Sequence, residues 1–336
     1  MTSEKISRTS FIESKVYNNQ LKYHGFSELL AEKYNSGNSV RTSYKWIHGA
    51  IFDEIQSIGF LEGLRRTSGI VVPSKGVADY LRDLGFISVI VGGLPFSYVS
   101  DVSERLLGVQ DSMLAIPSHS FTDKTRYTSY LDFLQAFKGN YEKIYVLVGR
   151  HYIDGHDTLT FFEEINRRGL WPLKGAIAED RHSLKRVRLI LSSFPSITTN
   201  CLGSHIAYAL LVGSKLSISG PYISPREVSN NMDLLYERQI KTFKYIFGQA
   251  RAEQEYENFE HSYTEAKMRT YFPHLLTEKT LCGRQDIALG RRLCGVEHTL
   301  NAEQFREVFD LNPLDIVRTV SKKLIGRQKN EDFLGR

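Results

Sequence analysis

The segment SITTNCLGSHIAYALLVGSKLSISGPY, Ser196 to Tyr222, carries the pattern that decides the fold. Ser196 to Thr199 reads as a short strand, and a turn follows at Leu202-Gly203. Ser204 to Val212 has the composition of a helix that Gly213 closes, and Lys215 to Ser219 is a second strand. Strand, helix and strand in so short a length form a βαβ unit, with parallel strands and a right-handed crossover.

The same alternation extends upstream. GIVVP, Gly69 to Pro73, reads as a buried strand ended by proline. Ser74 is the expected N-cap of a helix over Lys75 to Leu84, which Gly85 closes. Ile87 to Val91 is the next β-branched run, and Gly92-Gly93-Leu94-Pro95 marks a sharp turn at a seam. The pattern restarts after Asp111 with a strand at Met113 to Pro117, a helix over Tyr127 to Phe137 and the strand KIYVLV at Lys143 to Val148. An amphipathic helix over Thr158 to Arg168, a strand within 170–177 and a helix over Ser183 to Ser192 lead back to Ser196. From Ser224 to about Tyr271 the chain turns helical and charged, and 273–336 shows no β signal. The expected fold class is α/β, with two Rossmann-like units and a helical C-terminal tail.

Length agrees with two units: 336 residues is about twice the usual ~150 per domain. Forty-three Lys and Arg against 38 Asp and Glu give a formal charge of +5. That excess is too mild for a nucleic-acid binder and suits phosphate-bearing ligands. Cys201, Cys282 and Cys294 are odd in number and widely spaced, which argues against a disulfide framework or a zinc knuckle. Met1 to Ser10 lacks the apolar stretch of a signal peptide, and no run reaches the ~18 apolar residues of a membrane span. The expected location is cytoplasmic.

In an open α/β sheet, ligands sit beyond the carboxyl ends of the strands. Thr199, Asn200, Gly203, Ser204 and His205 stand at such an end, where a helix begins. Backbone N–H groups and the helix dipole make that place attractive to anions. Gly203 admits a close approach, and His205 adds a donor that can be charged. The same residues also serve as ordinary caps of a helix. Pro117-Ser118-His119-Ser120 follows another strand and would face the same crevice, or be a plain polar loop. Trp46-Ile47-His48-Gly49 puts a histidine at a strand end in the first unit, a candidate base near neutral pH, with Asp53 and Glu54 just beyond to orient it or replace it. His151, Asp154, His156 and Asp157 have the composition of a divalent-metal site and equally that of a solvated loop. The P-loop, GxGxxG, HExxH, GxSxG and Asp-x-Asp patterns are absent.

Taken in order, WIHG (Trp46 to Gly49), VPSKGVADYLRDLGF (Val72 to Phe86), VGGLPFSY (Val91 to Tyr98), PSHS (Pro117 to Ser120) and TTNCLGSHIAYALLVGSKLSISGPY (Thr198 to Tyr222) resemble GT-B glycosyltransferases of bacterial surface (capsule and lipopolysaccharide) polysaccharide biosynthesis. The resembling segments lie within residues 45–222. The resemblance implies an acceptor-side domain over 1–108, a nucleotide-sugar domain over 109–272 across a cleft, and a helical extension over 273–336. It implies Ser118, His119, Ser120, Thr199, Asn200, Gly203, Ser204 and His205 on the nucleotide phosphate, with His48 and Asp53 on the acceptor side as catalytic candidates. No metal and no cofactor is expected; the nucleotide-sugar is a substrate, and the acceptor is a saccharide or lipid-linked saccharide. The competing readings are a sugar-nucleotide epimerase and a non-catalytic nucleotide- or polysaccharide-binding assembly protein of the same fold. Arg318, Lys322, Lys323, Arg327 and Lys329 offer peripheral contact with an anionic membrane or a solvated surface.

Overall fold

The computed structural model describes residues 25–34, 42–101, 105–106, 109–118, 124–149, 158–176, 180–224, 232–277, 281 and 283–309. Two parallel sheets organise them. The first is β1 (Lys45–Trp46), β2 (Ile70–Val72) and β3 (Val89–Val91), in the order β1-β2-β3. The second is β4 (Met113–Ile116), β5 (Ile144–Val148), β6 (Trp171–Lys174), β7 (Ser196–Thr199) and β8 (Lys215–Ile218), in the order β6-β5-β4-β7-β8. The chain winds outward from β4 to β6, then crosses back to lay β7 and β8 on the other side of β4. A right-handed crossover puts the helices of the two halves on opposite faces.

The burial pattern confirms that winding. Met113, Ala115, Ile144, Val146 and Val148 pack on one face with Tyr130 and Leu134 of α3 (Lys124–Gln135) and Phe161 and Ile165 of α4 (Thr158–Arg167). The alternate residues Leu114, Ile116, Tyr145 and Ile197 pack on the other with Ile190 of α5 (Ser183–Ser193) and Ile206 and Leu210 of α6 (Ser204–Leu211). Side chains that alternate across a pleat fill both layers, which is why the strands read as unbroken apolar runs. In the first sheet, Ile70, Val72 and Val89 face Val77, Ala78 and Leu81 of α2 (Lys75–Asp83). Ser74 caps that helix as its sequence predicts, its Oγ accepting from the Val77 N–H at 3.3 Å.

The two units share a core. Trp46, Val71 and Leu94 of the first belong to one buried cluster with Leu114, Ile197 and Ile206 of the second. Phe26, Leu29 and Leu30 of α1 (Phe26–Lys33) join it, as do Leu300, Phe305 and Phe309 around α11 (Ala302–Val308). Residues 232–261 were expected to belong with the second unit, yet their apolar face turns to the first. Ile240, Phe243 and Ile246 of α7 (Met232–Phe247) and Ala252, Tyr256 and Phe259 of α8 (Gln249–His261) pack with Ile70 and Val89. After α9 (Glu265–Tyr271) the chain runs beside the open edge of β8. Leu216 exchanges two backbone hydrogen bonds with Arg284, and the Ile218 N–H donates to Leu275. Covering an edge strand blocks pairing with another chain. Among the described residues of the segment the pairing is by isolated bridges, in keeping with its lack of strand composition. Gly290 then lets α10 (Ile287–Cys294) lie against α6, since a Cβ there would stand 2.3 Å from the Leu211 nitrogen. No helix among the described residues is long and apolar enough to cross a membrane.

Candidate functional site

The strand order reverses between β4 and β7, and in a sheet of this kind that switch point is where ligands bind beyond the carboxyl ends. Ser118 follows β4, and Thr199 ends β7. The structure brings them together around the Cys201 thiol, whose sulfur lies 3.7 Å from Thr199 Oγ1. Burial pushes that thiol up to about 11, more than the two hydroxyls lower it, so it stays protonated and structural.

Thr199 Oγ1 lies 2.7 Å from the Ile116 carbonyl and 2.8 Å from His205 Nε2. A hydroxyl has a single proton, and the carbonyl can only accept. The network therefore assigns the His205 proton to Nε2, which donates to Thr199. The ring folds back over the start of α6. A Cβ on Gly203 would stand 2.7 Å from its Cε1 and Nδ1. Gly203 has φ 177°, extended backbone open to any residue, so the glycine leaves room for the His205 ring rather than answering to a conformation. Gly203 is the N-cap of α6 and no side chain caps the helix. Capping by Thr199 or Ser204, the ordinary reading of this segment, is not what the side chains do. Thr199 bonds the end of the neighbouring strand, and Ser204 reaches across the seam.

That reach assembles the two halves of the site. Ser204 Oγ accepts the Ala50 N–H at 3.0 Å, and the Tyr208 hydroxyl donates to the His48 carbonyl at 3.1 Å. The loop after β1, carrying His48, thus lies against the first turns of α6. The His48 ring meets the edge of Phe60, with centroids 5.7 Å apart. Asp53 is placed differently. Its Oδ1 accepts the Ile55 N–H at the start of a 3-10 turn, and its Oδ2 takes Lys267 at 3.4 Å and the Tyr271 hydroxyl at 3.0 Å. It ties the loop to α9.

Asn200 is buried, and its Nδ2 donates to the Pro221 carbonyl at 2.9 Å. Its Oδ1 has no hydrogen-bond partner among the described residues. A cavity of about 220 Å³ opens beside it, lined by Ser219, Tyr222, Arg269 and Thr277 among others. A second, of about 390 Å³, is lined by Asp53, Glu54, Tyr80, Glu255, His261 and Lys267. Neither was legible in the residues alone, because α8 and α9 reach these places from far along the chain. His119, Ser120, the 151–157 cluster, Cys282 and the basic residues 318–329 lie outside the described residues. Among the described residues no group of three His, Cys, Asp or Glu is placed to hold a metal ion.

These features define an α/β protein with a polar, uncapped helix start at the switch point of a doubly wound sheet. No family model matches the sequence, and no curated protein matches it. Likeness to solved structures is low in both identity and TM-score. A mutant of S. aureus TarM, in complex with fondaparinux, alpha-GlcNAc-glycerol and UDP, is 11% identical with a TM-score of 0.30 over 69% of this chain and 50% of that one. A glycosyltransferase from Rickettsia africae is 14% identical, with a TM-score of 0.31 over 90% of this chain and 85% of that one. The spinosyn rhamnosyltransferase SpnG, complexed with spinosyn aglycone, is 9% identical, with a TM-score of 0.25 over 90% and 81%. The chain spans about half the length of TarM.

Proposed function

We propose that the protein is a GT-B type glycosyltransferase that moves a sugar from a nucleotide-sugar donor to a hydroxyl of a saccharide acceptor. The observation that carries this reading is the uncapped start of α6 at the switch point, with the His48 loop hydrogen-bonded to the same turns. A helix start offers N–H groups and a positive dipole to phosphate oxygens. His205 stands over that start with Thr199 hydrogen-bonded to its ring, and Ser118 and Asn200 are assigned to the same site. The cavity beside Asn200 suits the hydroxyl-bearing part of the donor, since Ser219, Arg269 and Thr277 line it with polar groups.

In the reaction, the His48 imidazole takes the proton from the acceptor hydroxyl as that oxygen bonds to the anomeric carbon. The bond from that carbon to phosphate breaks, and the leaving phosphate keeps the electron pair. The α6 dipole and His205 stabilise its growing charge. Asp53, with both oxygens engaged, holds the loop rather than the proton. The domain limits 1–108, 109–272 and 273–336, with α7 and α8 of the second reaching over to the first sheet, a role in surface polysaccharide synthesis and a peripheral position at an anionic membrane belong to the same proposal. The reaction needs no metal in this scheme.

A binding panel with UDP, GDP, CMP and CDP, with and without magnesium or EDTA, tests it. One nucleotide should bind equally well in both, and saturation at about 100 times Kd adds about 2.7 kcal/mol of stability. His48→Ala should then cut turnover of the matching nucleotide-sugar by about a hundredfold or more and spare nucleotide binding. No binding by any of the four would remove the phosphate site. Binding without turnover of any sugar nucleotide would leave the non-catalytic assembly reading.

A further inference from the structure

The helix that begins at the phosphate site also holds the loop that carries His48. Ser204 and Tyr208 are one turn apart, so both side chains project from one face of α6. Each side chain ends in a hydroxyl that reaches the His48 loop. One accepts the Ala50 N–H, and the other donates to the His48 carbonyl. The chain from Ala50 back to His48 is thereby closed through two side chains of the other unit.

The clamp is rigid at both ends. The Tyr208 ring stacks on Phe96, with centroids 4.1 Å apart and planes 17° from parallel. The Arg188 guanidinium lies over the same Phe96 ring at 5.7 Å, and its Nη1 donates to the Val99 carbonyl at 3.0 Å. On the loop side Phe60 occupies the space that a side chain on Gly49 would need, its Cζ 2.5 Å from an ideal Cβ. His48 is therefore braced by Phe60 in its own unit and by Tyr208 across the seam.

We propose that Tyr208, with Ser204, is a positioning residue that couples an anion at the start of α6 to the placement of His48. The inference rests on the reading of that helix start as the phosphate site. Its physical basis is that Ser204 lies within the turn whose N–H groups face the anion, so ordering that turn orders the loop bonded to it. Neither Tyr208 nor the coupling was legible in the sequence, where Tyr208 is one more apolar-face residue of a helix.

Hydrogen exchange of residues 47–53 in the full chain, with and without UDP (or whichever of GDP, CMP and CDP binds in the panel), tests it. In the wild type the nucleotide should slow exchange there about tenfold, as expected when local opening is suppressed. Tyr208→Phe keeps the stacked ring and removes the hydroxyl. It should leave nucleotide affinity within about twofold, abolish most of the nucleotide-dependent slowing, and lower kcat for donor turnover about tenfold with KM unchanged, the loss expected from one hydrogen bond. Ser204→Ala is the second variant and should show the same loss of coupling at 47–53. A nucleotide that binds but leaves 47–53 unchanged in the wild type overturns the coupling. So does a Tyr208→Phe protein with wild-type protection and kcat. If no nucleotide binds, the phosphate-site reading falls, and the coupling falls with it.

Discussion

Gly203 shows how a missing side chain places a functional one. Its backbone is extended, and alanine would adopt it without strain, yet a Cβ would collide with the His205 ring at 2.7 Å. Gly203→Ala should therefore fold normally and displace the imidazole. If His205 binds phosphate, Gly203→Ala and His205→Ala should each weaken nucleotide binding by about tenfold or more, the range of a charge-assisted hydrogen bond. The double variant should be no weaker than His205→Ala, because both changes remove the same contact. Calorimetric titration reads the cycle, and additive losses would show that the ring position is not what Gly203 protects. The sequence pointed to this glycine as a place of close approach. It could not say that the approaching group is the protein's own histidine, because only the fold turns His205 back over the helix start.

Among the elements, caps and closing glycines were legible and charge networks were not. Ser74 caps α2 by a bond spanning three residues, and Gly85, Gly169 and Gly213 take the left-handed conformation where the helices were expected to end. Such signals are local, so the chain need not fold to display them. In α4, Glu164 pairs with Arg167 and Arg168, and Arg168 continues to Asp132 of α3 at 2.7 Å. Hydrogen bonds from Arg167 first, then Arg168, hold the Glu164 carboxyl down to about 2. A carboxylate with a lowered pKa contributes stability above its unfolded value and loses it as pH falls through the folded one. The melting-temperature gap between wild type and Glu164→Gln should thus be open at about pH 5 and close as pH falls to about 2. A gap that stays constant over that window would mean the pairs contribute nothing. The i to i+3 and i to i+4 spacing was visible in the sequence, but the partner on α3 was set only by packing.

For the molecule as a whole, the shared core predicts one cooperative unfolding transition. Trp46, Val71, Leu114 and Ile206 lie in a single cluster that neither unit completes alone. The two tryptophans are Trp46, buried in that cluster, and Trp171, half exposed on β6. In a Trp171→Phe protein, Trp46 fluorescence and far-ultraviolet circular dichroism should follow the same urea curve. Separate midpoints would show that the units melt independently and that the seam is weaker than its packing indicates.

By itself the sequence determined the order of strands and helices, the α/β class and the polar start of α6 after β7. These rest on apolar runs, caps and glycines within a few residues of one another. Only the tertiary structure decided that 232–261 packs on the first sheet, that Leu276 and Arg284 pair with the edge of β8, and that Ser204 and Tyr208 hold the His48 loop. Periodicity requires a face to be buried without naming its partner, since burial of apolar area is non-directional. Hydrogen bonds name the partner, and those that build this site join residues about 150 positions apart, 154 for Ser204 to Ala50 and 160 for Tyr208 to His48.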